Sequence, residues 1–260
     1  MIVSVGRLMA GHSKWANIKR QKARVDALKG QVFAKLSREM IVAARTGLPD
    51  PAANFRLRTA VEKAKAAGMS QENIERAIAK GAGLLGADAD SLEAVRYEGY
   101  APGGVAVLIE ALTDNRNRTA GEIRAAFNKY GGNLGETGCV GWMFTQVGWI
   151  ELPGVTDEDD LLATALQVPA TGYEWDGDTA ALLTEPLALE AVVTALQKEG
   201  YRVGTALTRW QPTTTVAITD ADWGRKVLRL LEVLEDLDDV QAVSANFEMD
   251  EPVWAALMSH

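Results

Sequence analysis

The chain changes its apolar rhythm once, at the glycine-rich stretch Gly81-Ala82-Gly83-Leu84-Leu85-Gly86. Before it, apolar residues recur every three or four positions, the spacing of one helical face. After it they alternate or run together in short β-branched blocks. A chain patterned this way is neither one helical bundle nor one sandwich. It is expected to be α+β and multidomain, with helices first and sheets later.

The helical part reads in four pieces. Ser13 is placed to cap a helix running to about residue 28, with Trp15, Ile18 and Val25 on one face. Phe33, Leu36, Met40 and Ala43 stripe a second helix over about 31–45, which leaves Lys35, Arg38 and Arg45 facing water. The turn Gly47-Leu48-Pro49-Asp50-Pro51 precedes a third helix over about 54–67. Ser70 starts a fourth, with Met69 and Ile74 as its hydrophobic staple and Gly81 as its stop.

Beyond residue 90, strands at 95–100 and 105–110 flank the hairpin turn Ala101-Pro102-Gly103-Gly104. Thr119 and Glu122 have capping-box spacing for a helix reaching Tyr130. A strand is expected at 140–144. Residues 148–205 then read βαββαβ, a ferredoxin-like unit closing on a strand at 201–203. A strand near 208–218, a helix at 221–236 and a strand at 240–247 follow and are expected to return to the earlier sheet. The expected domains are therefore a basic helical domain (1–82), a discontinuous α+β domain (83–147 plus 206–260), and an inserted ferredoxin-like α+β domain (148–205).

Charge divides at nearly the same place. Residues 1–81 carry 16 Lys+Arg against 6 Asp+Glu, a net +10, whereas the remaining 11 basic and 29 acidic residues give −18. Such asymmetry points to a polyanion partner, nucleic acid before membrane. Lys14, Lys19, Arg20, Lys22, Arg24, Lys29, Lys35 and Arg38 are the candidate phosphate contacts. Phosphate contacts position a protein without reading sequence, and no helix sets out Asn, Gln and Arg for base edges. Trp15 and His12 flank the patch; Trp15 is expected to anchor the core, although either ring could stack on a base. Asn115-Arg116-Asn117-Arg118, at a strand-to-helix turn, is a possible secondary anion site. The same asparagines would serve equally as helix caps.

Several chemistries are excluded. Cys139 is the only cysteine, and His12 and His260 are the only histidines. One chain therefore cannot build a disulfide, a thiolate metal cluster or a Ser-His-Asp triad. No cofactor, metal, catalytic residue or small-molecule substrate is expected. Gly131-Gly132-Asn133-Leu134-Gly135 lacks the Lys-Ser/Thr ending of a phosphate loop and reads as turn chemistry. The acidic clusters 157–160 and 235–239 read as a capped helix start, with Thr156 as the cap, and a solvated helix end. No membrane span or signal peptide is recognisable, so a cytoplasmic protein is expected. Met9 is an alternative start.

Gly11-His12-Ser13-Lys14-Trp15-Ala16-Asn17-Ile18-Lys19 resembles the opening motif of the YebC family. Asn73-Ile74-Glu75-Arg76-Ala77-Ile78, Tyr97-Glu98-Gly99-Tyr100-Ala101-Pro102-Gly103-Gly104, Thr113-Asp114-Asn115-Arg116-Asn117-Arg118-Thr119 and Gly131-Gly132-Asn133-Leu134-Gly135 continue the resemblance, which spans about 9–248. It departs at Arg20-Gln21-Lys22, where the family usually has His-Arg-Lys, and at Ala101, usually Gly. The resemblance implies a helical N-terminal domain plus two α+β domains. It also implies a non-enzymatic, nucleic-acid-binding regulator of gene expression. The leading expectation is a DNA-binding transcriptional regulator. The alternatives are a ribosome-associated translation factor or translational activator that binds RNA, as in the family's mitochondrial activator of cytochrome c oxidase synthesis, and a structure-selective nuclease using the carboxylates.

Overall fold

The computed structural model describes residues 3–4, 29–85, 92–175 and 179–258. The candidate residues Lys14, Lys19, Arg20, Lys22 and Arg24, and the helix expected from Ser13, lie outside them. The short strand β1 (Val3–Ser4) precedes three helices, α1 (Lys29–Thr46), α2 (Phe55–Ala66) and α3 (Gln71–Gly81). Asn54 caps α2 by accepting from Leu57 N, and Ser70 caps α3 by accepting from Asn73 N. Each side chain satisfies a backbone donor that the helix itself cannot. Leu36, Met40, Leu57, Val61, Met69 and Ile74 close one core between the three helices. Leu92 and Leu112 enter the same core.

The glycine that ends α3 is Gly83, not Gly81. Gly83 has φ +75°, and its N–H reaches Lys80 O while Leu84 N reaches Ala79 O, the paired closure of a Schellman turn. Gly81 is the last helical residue and lies against α1. A Cβ there would stand 2.4 Å from Ile41 O.

Next come β2 (Glu93–Ala101), β3 (Val105–Thr113), α4 (Arg116–Lys129) and β4 (Asn133–Leu134). β2 and β3 form an antiparallel hairpin in continuous register from Glu93↔Thr113 to Ala101↔Val105. Asn115 caps α4, accepting from Arg118 N. The Thr119–Glu122 capping box is therefore not formed. The helix starts earlier, and Thr119 is buried one turn inside it. The strand expected at 140–144 begins only at Phe144, because Val140 N and Gly141 N donate to the Glu98 carboxylate instead of to a neighbouring strand.

The second unit runs β5 (Phe144–Glu151), α5 (Glu158–Gln167), β6 (Gly172–Trp175), β7 (Ala180–Thr184), α6 (Leu189–Lys198) and β8 (Ala206–Pro212). Its sheet order is β1-β6-β7-β5-β8, and β6, β7, β5 and β8 pair antiparallel throughout. That order is the ferredoxin-like split βαβ arrangement. Its last strand is β8 and not 201–203. Gly200 N and Tyr201 N close the end of α6 on Gln197 O and Leu196 O, so those residues finish a helix. Asp157, and not Thr156, caps α5, accepting from Asp160 N.

The chain continues through β9 (Val216–Ile218), α7 (Ala221–Asp236), β10 (Val240–Ala245), β11 (Phe247–Met249) and α8 (Glu251–Met258). β10 joins β3, which gives a first sheet ordered β10-β3-β2-β4, while β11 pairs parallel with β9. Accordingly the first compact unit gathers residues from 29–141 and 222–243, and the second those from 142–221 and 244–258 together with β1. No helix among the described residues is long and apolar enough to cross a membrane.

Candidate functional site

Two of the candidate basic residues, Lys35 and Arg38, reach the turn between α7 and β10. Lys35 Nζ donates to Glu235 O, and Arg38 Nη1 donates to Asp238 O at 2.6 Å. These carbonyls belong to the C-terminal end of α7 and the turn after it, where unpaired C=O groups attract cations. Arg45 donates to Leu92 O. The expectation that Lys35, Arg38 and Arg45 stand in water is thus corrected. All three are partly buried on neighbouring elements, because the face of α1 beside its apolar stripe is also packed. Lys29 opens α1, and nothing is described of its side chain.

At the centre of this contact lies Asp239, which is 2% exposed. Its carboxylate accepts from Arg118 Nη2 at 2.7 Å, from Thr119 Oγ1 at 2.7 Å and from Thr113 Oγ1 at 3.0 Å, and pairs with Arg38 Nη2 at 3.2 Å. Burial alone would push this carboxyl upward. The hydrogen bonds from Arg118, Thr119 and Thr113, with the Arg118 charge, outweigh that and hold it below the ordinary range. The acidic cluster at the end of α7 is therefore a solvated helix end only in part, with Asp236 and Asp238 exposed and Asp239 buried. One of its acids is the buried joint between α1, β3 and α4.

The secondary anion candidates are equally committed. Arg116 pairs with Glu93 at 2.5 Å, and Arg118 bridges Asp114 and Asp239. Asn115 serves as the helix cap, while Asn117 is exposed. Two arginines at a helix N-terminus oppose the dipole. The acids on β2, the β3–α4 turn and the α7–β10 turn are what compensate them. Arg38 and Arg118, together with Gln31, Glu122 and Asp114, line an open cleft of about 500 Å³ beside Asp239. Its charge is mixed, with carboxylates outnumbering guanidinium groups.

Glu98 is the other buried carboxylate of this unit, 2% exposed. It accepts from Val140 N at 2.8 Å and Gly141 N at 2.7 Å. Burial pushes Glu98 up, but these donors, with Gly138 N–H and the Arg96 charge, bring it below the usual carboxylate range. Burial first, and then the Glu98 charge, raises the nearby Cys139 thiol, so its thiolate is disfavoured. Gly131-Gly132 is a tight turn, as expected, and leads directly into β4. Gly131 has φ +77°, and a Cβ on Gly132 would meet Tyr100 O at 2.6 Å. Sequence reasoning misses both Glu98 and Asp239. The available signal is an acid within an otherwise strand-like run, Tyr97-Glu98-Gly99, and an acid directly before the apolar start of β10. In the second unit, Glu174 plays a comparable part, accepting from Trp149 Nε1 at 3.0 Å and from Arg209, which lies 5.0 Å over the Trp149 ring.

Comparison with known proteins fits this architecture. A protein from Trichormus variabilis with the name "Probable transcriptional regulatory protein" is 59% identical over 248 residues, covering 95% of this chain and 98% of its own. A relative of the same description from Synechococcus elongatus is 60% identical over 249 residues, covering 96% and 98%. The crystal structure of a conserved hypothetical protein from Aquifex aeolicus superposes with a TM-score of 0.81 at 50% identity, covering 88% of this chain and 94% of that one. The family profile described as "TACO1/YebC protein N-terminal domain" matches residues 13–84. Because "TACO1/YebC second and third domain" matches residues 92–247 as well, the chain belongs to the TACO1/YebC family.

Proposed function

We propose that this protein is a regulator of gene expression that binds nucleic acid through its basic opening, acts without catalysis, and works in the cytoplasm on DNA as a transcriptional regulator. The observation that carries the reading is the +10 charge of residues 1–81 on a chain that is otherwise −18. The names of the relatives from Trichormus and Synechococcus support the regulatory role.

Lys35 and Arg38 are held by the α7–β10 turn. Their commitment there favours Lys14, Lys19, Arg20, Lys22, Arg24 and Lys29 as the phosphate contacts in this reading. The test is direct. The protein should retard duplex DNA and footprint a promoter. Co-sedimentation with ribosomes, with RNA preferred over DNA, would move the role to translation. Magnesium-dependent cleavage of branched DNA would overturn the non-enzymatic reading.

A further inference from the structure

Two of the glycine-rich segments noted in the sequence meet on one face of the first unit, away from Asp239. Pro102 of the β2–β3 turn is the nearest neighbour to Gly131, 3.9 Å from where a Cβ would stand. Gly103, at φ +77°, leaves room for an indole, since a Cβ on it would lie 3.0 Å from Trp223 Cε3 and 3.4 Å from Cζ3. Trp223, in the first turn of α7, is thus seated on a backbone turn. It keeps 50% of its surface open, whereas Trp149 and Trp254 keep 4% and 2%. A Cβ on the adjacent Gly104 would meet nothing within 4 Å, so the turn stays open to close approach.

Basic residues lie on α7 near this indole and at the end of α4, beside Gly131. Lys226 lies one helical turn after Trp223 and is exposed. The Arg229 guanidinium is raised by Glu232 first and also by Tyr130, and Lys129 Nζ lies 5.6 Å over the Tyr130 ring. Arg225 is paired with Asp222 at 2.5 Å, and Arg229 also pairs with Glu232. Among the described residues, no carboxylate pairs with Lys226 or Lys129. An open aromatic surface beside such lysines has the chemistry of a stacking platform with phosphate contacts on its rim. A duplex keeps its bases stacked on one another and offers nothing to such a ring. Unpaired bases, the usual target of sequence-reading RNA contacts, do.

We propose that Trp223, with Lys226 and Lys129, forms a second nucleic-acid contact that takes an unpaired base of single-stranded RNA. This extends the nucleic-acid reading above by assigning the folded body of the protein its own contact. The Trp223 ring carries the base, the lysines take flanking phosphates, and the glycines of both turns keep bulk away from the strand.

The test uses the full chain and two labelled probes, an oligouridine decamer and a duplex RNA of similar charge. Trp223→Ala should weaken decamer binding about tenfold, the order expected for one lost stacked base. It should leave duplex binding within about twofold, and Trp223→Phe should restore most of the loss. Equal weakening of both probes would assign Trp223 a merely structural part and overturn the proposal. An unchanged decamer affinity would overturn it too and give the face to a protein partner. Failure of the basic opening reads differently, because charge reversal at Lys19, Lys22 and Arg24 would then leave duplex binding unaffected.

Discussion

At the scale of single residues, Asp239 holds the most consequence. One buried carboxylate gathers two arginines and two threonine hydroxyls from α1, β3 and α4. Asp239→Asn keeps the shape but removes the charge that both guanidinium groups face. It should cost about 2 kcal/mol in urea unfolding, the scale of hydrogen bonds to a charged group. The pH dependence has a definite sign. Asp239 and Glu98 are both held below their unfolded values, so the native state binds fewer protons than the unfolded chain near those values. Their stabilisation is complete above about pH 4, the ordinary carboxylate range, and is lost as pH falls through the native values. Unfolding midpoints followed downward from pH 5 should drop steeply for the wild type and less for Asp239→Asn. Neither acid is legible in the sequence, because a buried carboxylate is announced by partners distant in the chain. Arg38 is two hundred positions from Asp238. Periodicity sees only neighbours, so it places Lys35 and Arg38 in water.

At the scale of elements, helices and strands are legible where local chemistry decides them. The cap at Ser70, the span of α7 and the β2–β3 hairpin follow from side chains adjacent in sequence. Errors arise where one signal admits two uses. Gly81 looks like a helix stop, yet Gly83 supplies the left-handed residue while Gly81 supplies close approach to α1. The two glycines should therefore fail differently. Gly81→Ala forces α1 and α3 apart and should cost about 2 kcal/mol by overpacking. Gly83→Ala meets no atom and should cost about 1 kcal/mol by backbone strain alone. Thermal unfolding of both variants checks the order, and equal losses would count against the close α1–α3 approach. The segment 201–203 reads as a strand because its alternation is real, but the closure of α6 claims the backbone donor of Tyr201.

For the whole molecule, the ferredoxin-like unit is legible because its elements are consecutive and the first five carry their own period, although the closing strand lies at β8 and not at 201–203. The first unit is harder, since α7 and β10 return to it from the far end of the chain. That return brings the acid-rich end of α7 onto Lys35 and Arg38 and divides the basic residues of the first 81 positions into two groups. Some are consumed in holding the fold together. Lys14, Lys19, Arg20, Lys22, Arg24 and Lys29 remain as the proposed phosphate contacts. This division makes the salt dependence of duplex DNA binding the most direct measurement. Six contacts predict that log affinity falls against log salt with a slope of about −5, and charge reversal at Lys19, Lys22 and Arg24 should bring it to about −3. A slope of about −7 would mean that Lys35 and Arg38 leave Asp239 and the α7–β10 turn on binding. A slope near zero, or one untouched by the reversals, would contradict the account.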